Sequence, residues 1–176
     1  MDFARVINTV GDFLERERRR HAVAGAIALH AYGISRATQD LDLVTEADAQ
    51  DHLVSFLESM GYETLYRSTG YSNHLHADTN LGRVDLIYVR GETSRKLFDE
   101  ARGTVTIGGR RFAVPKPEHL IAMKIQAVKN DSRRELRDLA DVQSLLRLPG
   151  IDQDEVRGYF ERAGLLERYH QLRRHA

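Results

Sequence analysis

The 176-residue chain contains no cysteine, which excludes a disulfide framework, a thiolate metal site and a cysteine nucleophile. It has only three prolines, and its frequent Leu, Ile and Val argue for a packed core rather than a disordered chain. It also lacks net charge, since 26 Lys and Arg balance 26 Asp and Glu. A protein held on nucleic acid mainly by counterion release carries a basic excess, so a polynucleotide partner here must meet a local patch. No apolar run is long enough to span a membrane. Met1-Asp2-Phe3-Ala4-Arg5 opens a mixed, charged segment, unlike the apolar core of a signal peptide. A soluble cytoplasmic protein is expected. With 41% apolar residues, this length suits one compact domain with a small helical appendage.

Phe3, Val6, Ile7, Val10, Phe13 and Leu14 recur at helical intervals. They predict an N-terminal helix with Arg16-Glu17-Arg18-Arg19-Arg20 as its solvated last turn, where positive charge complements the helix dipole. A second short helix is expected over 26–32, stopped by Gly33. Residues 39–44 alternate polar and apolar, as a strand does. An amphipathic helix over about 46–60 closes at Gly61. Strands follow near 62–67, 73–78 and 83–90, then a short helix near 94–101. Residues 104–107 and 111–114 form a hairpin turned by Gly108-Gly109. Beyond Pro115-Lys116-Pro117 the pattern is helical throughout, at about 117–129, 133–147, 152–163 and 164–173. The plan is an α+β core over residues 1–115, with a helical segment, 116–176, packed on it.

The informative stretch is Gly25-Ala26, thirteen intervening residues, then Asp40-Leu41-Asp42. A strand places Asp40 and Asp42 on one face and Leu41 and Leu43 on the other. An Asp-x-Asp pair by itself is often a solvent-facing pair. Here it follows a glycine-opened helix and a segment carrying Gly33, Arg36 and Thr38. Two carboxylates on one face repel unless a cation sits between them, and hard ions such as Mg²⁺ prefer carboxylate and phosphate oxygens. A glycine at a helix start lets backbone N–H groups approach phosphate. Together these features point to a site for a metal-bound nucleoside triphosphate.

Gly25-Ala26-Ile27-Ala28-Leu29-His30, followed by Gly33, Arg36, Thr38, Asp40 and Asp42, resembles the signature of polymerase-β-type nucleotidyltransferases. More narrowly it resembles the AbiEii/MenT-like branch, whose bacterial members include toxins of toxin–antitoxin systems. The resemblance implies a mixed sheet flanked by helices and Mg²⁺-dependent transfer of an NMP from an NTP to an acceptor hydroxyl. Asp40, Asp42 and Asp85 would hold the metal, and Gly25, Ala26, Arg36 and Thr38 would serve the nucleotide. Lys124 and the Asp138-x-x-Asp141 pair match the later lysine and acidic motifs. The implied acceptor is an RNA or tRNA end or a protein hydroxyl, with a cognate antitoxin as partner. Antibiotic nucleotidyltransferases share the core chemistry, so a small-molecule acceptor stays open.

Each of these residues also has a plainer reading. Asp85 would bond Arg83 or a nearby turn. Lys124 would snorkel from an apolar helix face. Asp138 and Asp141 would pair on the surface with Arg134 and Arg137, each four residues before its partner. Thr38 and Arg36 would serve turns. Ala26 and Ile27, standing where many relatives have Gly or Ser and a hydroxyl residue, also suit a non-catalytic, nucleotidyltransferase-like binding partner. His74 and His76 share a strand face without an evident third ligand, which disfavours a transition-metal site. The stretch 157–176 holds five Arg and two Glu, a basic patch for RNA or a solvated helix face.

Overall fold

The computed structural model describes residues 1–174 and divides into two compact units, Met1–Pro115 and Lys116–Ala176. In the first, α1 (Phe3–Arg16) is capped by Asp2, whose carboxylate accepts from Arg5 N, and it buries Val6, Ile7, Val10 and Leu14. The arginine run does not continue this helix. Arg18 turns into the left-handed region at φ 56°, and Arg20 bridges Glu46 (3.0 Å) and Asp99 (2.9 Å). The carboxylates that capture Arg20 lie 26 and 79 residues away, beyond the reach of a local pattern.

The main sheet has five strands in the order β1-β2-β5-β4-β3. They are β1 (His21–Val23), β2 (Asp40–Glu46), β3 (Tyr62–Arg67), β4 (Tyr71–His76) and β5 (Arg83–Val89). The three-residue β1 was not expected, being too short to show alternation. Central β2 and β5 pair in parallel, while the other pairs are antiparallel. Leu41, Leu43, Val44, Val84 and Leu86 are all fully buried, as the middle strands of a covered sheet must be. Between β1 and β2 lies α2 (Gly25–His30), and α3 (Gln50–Ser59) follows a 3₁₀ turn at Ala47–Ala49. After β5 come α4 (Gly91–Asp99) and the hairpin of β6 (Gly103–Ile107) and β7 (Arg110–Val114). Gly108 and Gly109 turn that hairpin with φ of 58° and 79°, the positive pair that a tight two-residue loop demands.

The second unit is helical: α5 (Pro117–Asn130), α6 (Glu135–Leu146), α7 (Gln153–Ala163) and α8 (Leu166–Arg174). Leu120, Ile121, Ile125, Val142, Leu145, Val156 and Phe160 fill its core. Asp152 caps α7 through Asp154 N and Glu155 N, and Gly164 ends it at φ 73°. In the basic C-terminal stretch, Arg168 is paired with Glu135 at 2.7 Å and Arg162 lies over the Tyr159 ring. Residues 175–176 of that stretch lie outside the described residues. No helix among the described residues is long and apolar enough to cross a membrane.

The two strand histidines are taken up by hydrogen bonds. His76 Nε2 meets Met60 O at 3.2 Å, and its Nδ1 accepts from Asp78 N at 2.9 Å. His74 is fully buried, with Nδ1 3.0 Å from Thr64 Oγ1 and Nε2 2.8 Å from Ser72 Oγ. Because Thr64 donates its proton to Glu58, it must accept from Nδ1–H of His74. Burial pushes the His74 imidazole below its ordinary value of 6.5, and burial does the same to His21. As pH falls through 6.5, the unfolded chain takes up protons that the folded chain refuses. Stability should therefore fall with pH, at up to about 1.4 kcal/mol per pH unit for each such histidine. Thermal unfolding between pH 7.5 and 5.5 measures this slope, and His74→Gln should flatten it; a pH-independent midpoint in the wild type contradicts the assignment.

Candidate active site

In the first unit, the alternation of β2 and the parallel register set the site. Asp42 is the Cα partner of Asp85, and Asp40 that of Arg83, so all four side chains share one face of the sheet. Asn73 of β4 is paired with Asp85 on the other side, extending the row to Asn73, Asp85, Asp42. Asp85 is only 5% exposed, and Arg83 donates to it through Nε at 2.9 Å. Tyr71 of β4 lies on the same face near Asp85 and Arg83; burial first, then the charge of Asp85, pushes its hydroxyl up to about 12. The plainer reading of Asp85 as a partner of Arg83 thus holds, and it places Asp85 beside Asp42. Sequence reasoning did not single out Tyr71 or Asn73 as site residues. The available signal was the period of two along β4 and β5, which aligns Tyr71 with Asn73 and Arg83 with Asp85.

Gly25 brings the start of α2 against this row. Ala24 N donates to Asp42 O at 2.9 Å, and Gly25 adopts φ +60°. A Cβ on Gly25 would fall 1.9 Å from Asp42 Oδ2, a distance no side chain tolerates. Gly25→Ala is therefore expected to displace the Asp42 carboxylate and to add left-handed strain of about 1–2 kcal/mol. A lowered unfolding midpoint together with lost NTP binding checks this; wild-type behaviour in both refutes the close approach. Ala26 is buried in α2 at 3% exposure. Thr38 Oγ1 and the backbone N and O of Asp40 lie 3.2 Å apart, fixing the turn into β2. His30 Nε2 lies 3.4 Å from Arg36 N and 3.3 Å from Arg36 O, tying the loop after α2 back to that helix.

Asp40, Asp42 and Asp85 offer carboxylate oxygens, the ligands that Mg²⁺ prefers, from adjacent register positions on one sheet face, although the oxygens of all three do not gather within 4.8 Å of one another. Asn73 Oδ1 is buried with no hydrogen-bond partner among the described residues, which adds a carbonyl oxygen.

In the second unit, Lys124, Asp138 and Asp141 are all buried, at 8%, 1% and 7% exposure. Lys124 Nζ is 2.5 Å from Asp141 Oδ2 and 3.3 Å from Asp138 Oδ1. Arg134 Nε reaches Asp138 Oδ2 at 2.9 Å across one helical turn. Burial alone would push the Asp138 carboxyl up. The hydrogen bond from Arg134 and the charge of Lys124 outweigh it and hold the group below the usual carboxylate range. Lys124 therefore does not snorkel, and the two aspartates are not surface pairs; they bracket the ammonium.

A mixed sheet with an Asp-x-Asp strand parallel to an Asp-bearing strand, entered through a glycine-opened helix, is the nucleotidyltransferase fold. The solution structure of the antibiotic-resistance factor ANT(2'')-Ia superposes with a TM-score of 0.64 at 16% identity, over 99% of this chain and 98% of that one. A crystal structure of ANT(2'')-Ia with adenylyl-2''-tobramycin gives 0.56 at 14% identity, over all of both chains. The lincosamide antibiotic adenylyltransferase LnuA, bound to lincomycin, gives 0.56 at 11% identity, over 81% of this chain and 96% of that one. The chain itself belongs to the family described as uncharacterised nucleotidyltransferases, whose sequence pattern matches residues 23–176. No curated protein matches it by sequence.

Proposed function

We propose that the chain transfers a nucleoside monophosphate from a Mg²⁺-bound NTP to an acceptor hydroxyl, with release of pyrophosphate. The observation that carries this reading is the register pairing of Asp42 with Asp85 on the face that also bears Asp40. These three carboxylates would hold the metal, which when bound offsets triphosphate charge and favours an ionised acceptor oxygen. Gly25 and Ala26 would set the backbone at the start of α2 for the phosphates, with Thr38 and Asp40 shaping the adjoining turn. Arg36 would supply a guanidinium, whose planar fork matches phosphate oxygens. Lys124, held by Asp138 and Asp141, is a buried cation of the helical unit, and we assign it to charge neutralisation during transfer. Catalysis of this kind rests on positioning and electrostatics, with no covalent step required of the protein.

Two observations bear on the acceptor. The order of motifs supports the AbiEii/MenT-like reading, in which the acceptor is an RNA end or a protein hydroxyl and the chain is a toxin with a cognate antitoxin. The fold similarity to ANT(2'')-Ia and LnuA supports a small-molecule hydroxyl. Incubation with each α-labelled NTP, Mg²⁺, total RNA, lysate protein and a set of aminoglycosides and lincosamides separates them by which species becomes labelled. A chain that binds a protein partner but neither binds nor transfers any NTP is instead the non-catalytic module.

A further inference from the structure

We propose that the bulged outer edge of the sheet, Tyr66 with Tyr71 and Leu75, is the platform on which the acceptor lies. The acceptor it fits is the terminal nucleoside of an RNA, its base stacked on Tyr66. This rests on the nucleotidyl-transfer reading of the carboxylate row and names the acceptor that the row serves.

The outermost strand, β3, pairs irregularly with β4. Thr64 stands opposite His74, and an unbroken ladder would continue with Leu65 opposite Asn73 and Tyr66 opposite Ser72. Instead the register shifts, so that Tyr66 pairs with Asn73 and Arg67 with Ser72. Ser72 and His74 are fully buried and mark the core face of β4. The bulge therefore lifts Tyr66 off the core face and aims it over the opposite one, as bulges beside active sites do. A single row of side chains now crosses four strands, from Tyr66 through Asn73 and Asp85 to Asp42. Leu75, the Cα partner of Arg83, and Tyr71 share that face.

Tyr66 is 57% exposed, Leu65 47% and Leu75 43%, three of the four large hydrophobic side chains that stand exposed among the described residues. Grouped on one hairpin beside the carboxylates, they form an apolar patch of the kind that marks a binding surface. The Tyr66 and Tyr71 rings lie 6.3 Å apart and tilted by 40°, so Tyr71 braces Tyr66 at an angle rather than stacking flat on it. Charge selects among acceptors. Leu65, Tyr66, Tyr71 and Leu75 are uncharged, and Glu63, opposite Leu75, adds a single carboxylate, whereas a polycationic aminoglycoside calls for several. A nucleobase suits the patch, because its flat faces stack on tyrosine while its polar groups stay at the edge. Tyr66 lies two strand spacings from Asp85, about 10 Å between backbones, a span that one nucleoside bridges from base to hydroxyl. The ribose oxygen then bonds the α-phosphorus of the NTP while the bond from that phosphorus to pyrophosphate breaks, and the hydroxyl proton leaves to water.

Two short oligoribonucleotides test this with the full chain, one intact and one whose terminal nucleotide lacks its base. Each is supplied with α-labelled NTP and Mg²⁺, in parallel with lysate protein, aminoglycosides and lincosamides. On the intact oligonucleotide, Tyr66→Ala should raise the KM for RNA about tenfold, the worth of one stacked base, and leave the KM for NTP unchanged. Tyr66→Phe, which keeps the ring, should match the wild type. Removing the terminal base should cost the wild type the same factor and cost Tyr66→Ala nothing further; the wild-type loss alone decides if Tyr66→Ala does not fold. Equal KM for the two oligonucleotides in the wild type, an unchanged Tyr66→Ala, or a Tyr66→Phe as impaired as Tyr66→Ala overturns the platform and leaves nucleotidyl transfer standing. So does label carried only by protein, an aminoglycoside or a lincosamide. No NTP binding and no label on any acceptor overturns both.

Discussion

Asp42→Asn should lower NMP transfer by at least about 10³-fold, which corresponds to roughly 4 kcal/mol of transition-state stabilisation, while leaving the fold intact. The asparagine keeps the shape of the side chain against Gly25, where Asp42 Oδ2 occupies the volume a Cβ would need. It removes the charge at the β2 end of the Asn73, Asp85, Asp42 row. Like charges directly opposite one another on a sheet destabilise it by a few tenths of a kcal/mol to about 1 kcal/mol. The unfolding midpoint of Asp42→Asn should therefore equal or exceed that of the wild type. Mg²⁺ with NTP should raise the wild-type midpoint, because a ligand that binds only the folded state stabilises it, and should leave that of Asp42→Asn unmoved. Transfer with labelled NTP and scanning calorimetry read the two effects. Wild-type turnover in Asp42→Asn would refute the proposed reaction.

Much of this frame was legible in the sequence because it depends on local periodicity. The alternation of Asp40-Leu41-Asp42-Leu43 gave the face of β2, and Gly25 marked the opening of the short helix that precedes it; that a side chain there would strike Asp42 is visible only in the fold. The strand signals near 62–67, 73–78 and 83–90 correspond to β3, β4 and β5. The parallel pairing of β2 with β5 is different in kind. It joins residues more than 40 positions apart, and periodicity does not say which strand lies beside which. The resemblance to nucleotidyltransferases supplied that neighbour, not the pattern of residues. The arginine run fails for the same reason: its helical reading was local, and the carboxylates that hold Arg20 come from β2 and α4. Asp138 and Asp141 were ambiguous because an arginine four residues before an aspartate looks alike on a surface and in a core. Arg134 does pair with Asp138, yet only the packing of α5 against α6 shows that Lys124 sits between the carboxylates.

Lys124→Met is expected to destabilise the chain by about 3–5 kcal/mol, the range found when one partner of a buried ion pair is removed. Methionine matches the length and apolar stem of lysine, so little packing is lost. What remains is two carboxylates at 1% and 7% exposure that had shared one ammonium. Asp138 keeps Arg134; Asp141 loses the contact of 2.5 Å. Removing that second charge, as Lys124→Met/Asp141→Asn, should therefore recover a large part of the lost stability, which chemical denaturation with urea would measure. The same double variant separates the two roles of the lysine. If Lys124 serves only to neutralise the aspartates, the refolded double variant regains transfer along with stability. If it supplies positive charge to the reaction, as proposed, stability returns and transfer does not. The fall would then lie in kcat more than in the KM for NTP, because the charge matters most where the leaving pyrophosphate becomes more negative.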